Sequence, residues 1–306
     1  MRIPIFFFIA LPFVVQAAER IPGSQVTLQP PAEFELSGEF TGYHKAAANA
    51  SIIVTEIPGP YAEVSLAMSP ESLESQGARL ISSEKIKVGD TDGILIEAER
   101  VMEDGTYGQW LLVFGDATSV VINAVAAKEE FAKLSAELKK SLLTTKWEPE
   151  LEVGILEGLP YTVEEAGDLK FAFKMQNGVI LSRGGIHPIE SPALPMMMVN
   201  AIADPEFKAD ADSKTYAHAL LDSLGKVPQE RTILAEKEII IDGLKGYQVE
   251  ASARPETADT DIYYRLSVSL TDGWIYLQFC RIAESDAKTY KPVFDKILES
   301  IDIAKP

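Results

Sequence analysis

The chain has 306 residues, 46% of them hydrophobic and 24% charged, with 28 Lys and Arg against 46 Asp and Glu. A net charge of −18 argues against nucleic acid and against anionic membrane surfaces, both of which need clustered cations. A single cysteine excludes an internal disulfide and any metal site built from several thiolates.

Met1-Arg2 supplies one positive charge, and an apolar run from Ile3 to Val15 follows. That run matches the core of a signal peptide and falls short of the ~20 residues of a membrane span. Pro4 and Pro12 inside it oppose a buried helix. Val15-Gln16-Ala17 carries small residues where a signal peptidase reads, so residues 1–17 are expected to be removed after Ala17. With few cysteines and an acidic balance, the product is expected to be a periplasmic or secreted protein.

The remainder reads as one domain written twice, over 18–147 and 161–306, with a charged, Pro/Gly-punctuated joint over 148–160. In the first half Ser51 to Ile57 is an apolar strand, and Ser69-Pro70-Glu71 starts a helix with a cap, a first-turn proline and an acid. Lys87 to Ala98 reads as strand, Gly/Asp turn, strand. A hairpin runs from Gln109 to Val125 through Gly115-Asp116. Phe131, Leu134, Leu138 and Leu142 then form the stripe of a closing helix.

The second half repeats this order. Leu169, Phe171, Phe173 and Met175 alternate with polar residues, and Asn177-Gly178 signals a hairpin back through Val179 to Ser182. Met196 to Ile202 is an apolar strand, and Asp212-Ser213 caps a helix carrying Tyr216, Leu220, Leu221 and Leu224. Ile240 to Ala251 repeats the strand, turn, strand landmark, with Gly246 standing 153 residues after Gly93. A hairpin follows from Tyr263 to Phe279 through Thr271-Asp272-Gly273. Tyr290, Val293, Phe294, Ile297, Leu298 and Ile301 form a continuous helical stripe. Pro292 lies early in that helix, which is expected to begin nearby or to kink there.

Each half resembles the PsbP-like fold, named for an extrinsic subunit of the photosynthetic oxygen-evolving complex. The resemblance rests on Asp242 to Glu250, the hairpin through Trp274, and the helix ending Leu298-Glu299-Ser300-Ile301. Through Phe40-Thr41-Gly42-Tyr43 and Ile52 to Pro60 the first half is also similar to exported bacterial proteins of unassigned function. The resemblance implies an α+β chain of two tandem domains, each a mainly antiparallel twisted sheet flanked by helices. Its relatives bind proteins or sit in envelopes and share no reaction, so a fold of this kind carries no activity over.

Chemistry is sparse. The three histidines, His44, His187 and His218, are too far apart for a local metal motif. Neither a Gly-x-Ser-x-Gly elbow nor a phosphate-binding glycine loop occurs. Cys280 sits among apolar strand residues, where burial keeps a thiol inert. Two carboxylate groups, Asp204, Glu206, Asp210, Asp212 and Glu256, Asp259, Asp261, are weighed as calcium loops against solvated caps and turns. Neither has the glycine and terminal glutamate of a calcium loop. Asn49-Ala50-Ser51 fits a glycosylation triplet in a chain whose leader looks bacterial. Met196-Met197-Met198 is expected to be a core strand, because successive strand residues face opposite ways. The Pro58-Gly59-Pro60-Tyr61 and Arg183-Gly184-Gly185 loops are the segments best suited to binding.

The sequence therefore assigns no catalytic, cofactor-binding or metal residue and no cofactor. It points to an exported non-enzymatic module that binds a protein or envelope partner, with no nucleic acid and no transmembrane segment after signal removal. The alternative is a hydrolase or a small-ligand or calcium-binding protein whose site gathers scattered Asp, Glu and His.

Overall fold

The computed structural model describes residues 18–102, 104–204, 207–208, 211–223 and 230–304. The leader Met1–Ala17 lies outside the described residues, as do Glu206, Asp210 and Leu224. The chain forms two compact units. The first holds the described residues up to Leu36 and Gly42–Leu151; the second holds Ser37–Thr41 and the residues from Glu152 onward. Both are α+β, each built on a seven-stranded antiparallel sheet.

The strands of the first sheet are β1 (Glu35–Leu36), β2 (Gly42–Lys45), β3 (Ala50–Pro58), β4 (Ala78–Val88), β5 (Thr91–Met102), β6 (Gly105–Gly115) and β7 (Thr118–Ala127). They lie in the order β1-β2-β3-β7-β6-β5-β4. Helix α1 (Pro70–Ser75) precedes β4 and helix α2 (Lys128–Leu142) follows β7. Ser69 Oγ accepts from Ser72 N at 3.2 Å, and Pro70 occupies the first turn of α1. Phe131, Leu134, Leu138 and Leu142 of α2 are buried with Ile52, Leu95, Leu112 and Ile122 of the sheet. On the opposite face Leu73 of α1 joins a smaller cluster with Ile96, Ala98 and Leu111.

The second sheet contains β8 (Leu169–Met175), β9 (Gly178–Arg183), β10 (Met196–Ala203), β11 (Thr232–Ile241), β12 (Leu244–Ala253), β13 (Ile262–Thr271) and β14 (Trp274–Ala283). Its order, β8-β9-β10-β14-β13-β12-β11, repeats that of the first sheet position for position. Helix α3 (Ser213–Ser223) precedes β11 and α4 (Ala287–Glu299) follows β14. Asp212 caps α3, its Oδ1 accepting from Lys214 N at 3.0 Å. Tyr290, Phe294, Ile297 and Leu298 of α4 pack on one face of this sheet, Ala217 and Leu221 of α3 on the other. Pro292 falls inside α4, five residues after its start.

Two local details depart from expectation. The hairpin between β8 and β9 turns at Gln176-Asn177 rather than Asn177-Gly178, since Met175 pairs with Gly178. Gln176 takes a left-handed φ of 45°. Gly178 joins the ladder instead, paired with Met175 and with Asn200. The expected joint is also partly structured. Glu148 N donates to Gln25 O in the first unit, whereas Ile155, Leu156 and Leu159 pack on the core of the second.

Candidate functional site

The sequence candidates fall in separate places. His44 lies on β2 and His187 in the loop after β9, stacked on Phe173 with ring centroids 4.7 Å apart. His218 on α3 approaches Glu236 on β11, Nε2 to Oε1 being 2.8 Å. Lys214 and the Tyr247 hydroxyl also reach Glu236, and the bond from Lys214 holds that carboxyl below its usual range. This group ties α3 to the sheet edge. Cys280 is fully buried, which pushes its thiol up to about 12. Among the described residues no group of three or more His, Cys, Asp or Glu is placed to hold a metal ion. Met197 is buried on the α4 face, with Met196 and Met198 half-buried on the other, as a core strand requires.

Both favoured loops are held by internal contacts. Gly59 O accepts from Ser119 Oγ at 2.7 Å, and Tyr61 N donates to Asp116 O. Arg183 donates through Nε to Asp168 Oδ2 at 3.1 Å and through a terminal nitrogen to the Tyr290 hydroxyl at 2.7 Å. Arg183 thus fastens the end of β9 to α4.

Two sheet edges are also open to a partner. β4 and β11 end their sheets and are exposed along most of their length. Each carries a β-bulge near its start, between Leu80 and Ser82 in β4 and between Ile233 and Ala235 in β11. The residues inside the bulges, Ile81 and Leu234, are both 44% exposed, and Ile240 further along β11 is 63% exposed. Charges flank them, Glu84, Lys85 and Lys87 on β4 and Glu236, Lys237 and Glu238 on β11. An edge strand presents a row of backbone donors and acceptors, and bulges and charges are the usual means of limiting what pairs with it. The alternating signal that locates such a strand in sequence is weak when both faces are wet, which is why only the last residues of these two, Lys87-Val88 and Ile240-Ile241, were read as strand.

The floors beneath the two closing helices differ in chemistry. Counting two and four residues on from Gly93, the rows under α2 are Leu95, Leu112, Ile122 and Glu97, Trp110, Ala124. Counted likewise from Gly246, the rows under α4 are Gln248, Ser267, Gln278 and Glu250, Arg265, Cys280. Arg265 is 1% exposed and meets Asp295 of α4 at 2.5 Å and Gln278 Oε1 at 3.2 Å. Glu250 meets Lys291 of α4 at 2.6 Å. Gln278 Nε2 donates to Phe294 O at 3.2 Å. Two ion pairs one helical turn apart on α4 thus fix that helix over a polar floor.

No family model matches the chain, and no curated protein does. Solved structures similar to it include the apo immunity protein TplEi of the type VI secretion system of Pseudomonas aeruginosa, 12% identical, spanning 93% of this chain and 97% of that one, with a TM-score of 0.39. The solution structure of cyanobacterial PsbP from Synechocystis sp. PCC 6803 is 12% identical over 51% of this chain and 99% of its own, with a TM-score of 0.31. LpqN, involved in cell envelope biogenesis of Mycobacterium tuberculosis, is 10% identical over 47% and 83%, with a TM-score of 0.34.

Proposed function

We propose that this chain is an exported, non-enzymatic protein made of two tandem PsbP-like domains, and that it acts by binding a protein partner along the free edges of its sheets. The observation that carries the reading is the pair of long exposed edge strands, β4 and β11, with apolar Ile81 and Leu234 at matching bulges. A row of open backbone donors and acceptors with exposed aliphatic side chains suits an added strand from another protein. The tandem reading is supported by identical strand order in the two sheets and by the 153-residue spacing that relates both Gly93 to Gly246 and Ile81 to Leu234. With it go domain limits of 18–147 and 161–306 and a joint over 148–160, as the charged, Pro/Gly-punctuated segment between the repeats suggests. Export is supported by the Arg2, apolar run and Val15-Gln16-Ala17 pattern, and among the described residues no helix is long and apolar enough to cross a membrane.

Photo-crosslinkers placed at Ser83 and Lys237 in cells that export the chain test this, with one at Lys140 on α2 as control. Adducts with one protein at the two edge positions and none at Lys140 are expected. Binding of that purified protein should weaken at least about tenfold in Ile81→Lys or Leu234→Lys. Equal labelling at Lys140, or no adduct at either edge, overturns the edge-binding reading. Intact mass of the exported chain should correspond to a start at Ala18; retention of Met1–Ala17 overturns the leader assignment.

A further inference from the structure

Four strand ends of the second sheet surround an open depression of about 610 Å3, where β11 begins, β12 ends, β13 begins and β14 runs on toward α4. Its wall carries both charge signs, Arg231 and Arg254 against Glu230, Asp261 and Glu284. Arg254 closes β12 and donates through Nε to Asp261 Oδ1 at 2.8 Å. Glu284 lies beside Asp261, its backbone N–H donating to Asp261 O at 2.8 Å, and accepts a bond from the Ser252 hydroxyl. The bulge of β11 takes Leu234 out of the regular alternation, and that side chain lines the depression as an apolar patch. A bulge re-aims a side chain in this way, and bulges gather beside functional sites.

The depression is also the outer end of the polar floor. Gln248, Glu250 and Ser252 alternate along the α4 face of β12, and Arg254 follows its last residue. Ser252 pairs with Tyr263, which is fully buried.

We propose that this depression binds a small zwitterion, a molecule with a carboxylate and an ammonium group a few bonds apart, of which a free amino acid is the simplest. Its carboxylate meets the Arg254 guanidinium, its ammonium lies between Asp261 and Glu284, and an aliphatic side chain rests on Leu234. A lone anion faces three carboxylates and a lone cation faces two guanidiniums, so neither matches the wall by itself. The Arg254–Asp261 pair is half-exposed on both sides, and such a pair contributes little, so a ligand bearing both charges can replace it at small loss.

Calorimetric titration of the full chain with L-leucine, L-lysine and L-glutamate tests the assignment, with acetate and methylamine as single-charge probes. Saturable binding of at least one amino acid is expected, at least about tenfold tighter than either single-charge probe. Arg254→Ala and Asp261→Asn should each weaken it at least about tenfold, and Arg254→Lys should recover part of the loss. Absence of amino-acid binding at millimolar concentration, equal binding of acetate or methylamine, or unchanged affinity in Arg254→Ala overturns the proposal. Should Arg254→Ala fail to fold, the comparison of Arg254→Lys and Asp261→Asn with the unaltered chain decides it.

Discussion

Removing Asp295 tests the polar floor most directly. Asp295→Ala leaves the Arg265 guanidinium buried, with Gln278 Oε1 at 3.2 Å and the Phe294 ring at 5.5 Å but no opposite charge bonded to it. Breaking a buried ion pair from one side costs about 3–5 kcal/mol, because the remaining charge has lost both partner and water. Asp295 is itself 46% exposed, so water can enter from the helix side and the lower end of that range, about 3 kcal/mol, is expected. For a unit of this size that corresponds to a fall of roughly 6–12 °C in melting temperature. Lys139 holds the matching place on α2, 4.8 Å over the Trp110 ring and 2.8 Å from Glu84, with its head in water. Lys139→Ala should therefore cost no more than about 1 kcal/mol. With Trp110 and Trp147 replaced by Phe, Trp274 reports the second unit alone during urea unfolding. The double variant Arg265→Met, Asp295→Leu removes both charges and should return stability to the starting value or above it. A loss under about 1 kcal/mol in Asp295→Ala, or a double variant as unstable as the single one, refutes the argument.

Leu142 and Leu298 are buried in the cores of the first and second units, so Leu142→Ala and Leu298→Ala should each cost about 2–5 kcal/mol. Trp110 fluorescence should report the first loss and Trp274 the second; equal effects of either variant on both reporters would mean one shared cooperative core. Gly246→Ala would bring a Cβ within 2.2 Å of Val268 O, so a loss of about 1–3 kcal/mol or more is expected by thermal unfolding. Gly93→Ala, with its closest contacts at 3.0 Å and 3.1 Å, should cost less, and the reverse order would count against the register given for these strands. The Cys280 thiol, pushed up from about 9 to about 12 by burial, should resist a thiol-disulfide reagent at pH 8 until the second unit unfolds. Because its folded pKa is the higher one, the neutral thiol contributes stability below pH 9 that is lost as pH rises toward 12. Rapid labelling of the native chain at pH 8 would contradict its burial.

Sequence alone determined the features that depend on local periodicity and turn chemistry. The stripes of α2 and α4 each bury a definite face, and Asp242-Gly243 supplies the two left-handed residues of a tight turn. The alternation expected over Leu169–Met175, by contrast, holds only to Phe171, because a bulge before Phe173 turns the later residues to the other face and leaves Met175 exposed. Repetition of those signals was enough for an α+β chain with two sheets. Neighbours far along the chain were decided only by tertiary structure. That β7 lies between β3 and β6, and β14 between β10 and β13, is set by long-range pairing that no local pattern encodes. The edge positions of β4 and β11 follow from that order, and with them the exposure of Ile81 and Leu234. Arg265 in Tyr263–Leu270 reads as one polar residue on a half-wet strand. Only the docking of α4 over it, with Asp295 supplying the opposite charge, makes it buried, because the energy of a charge depends on what surrounds it rather than on its place in the chain.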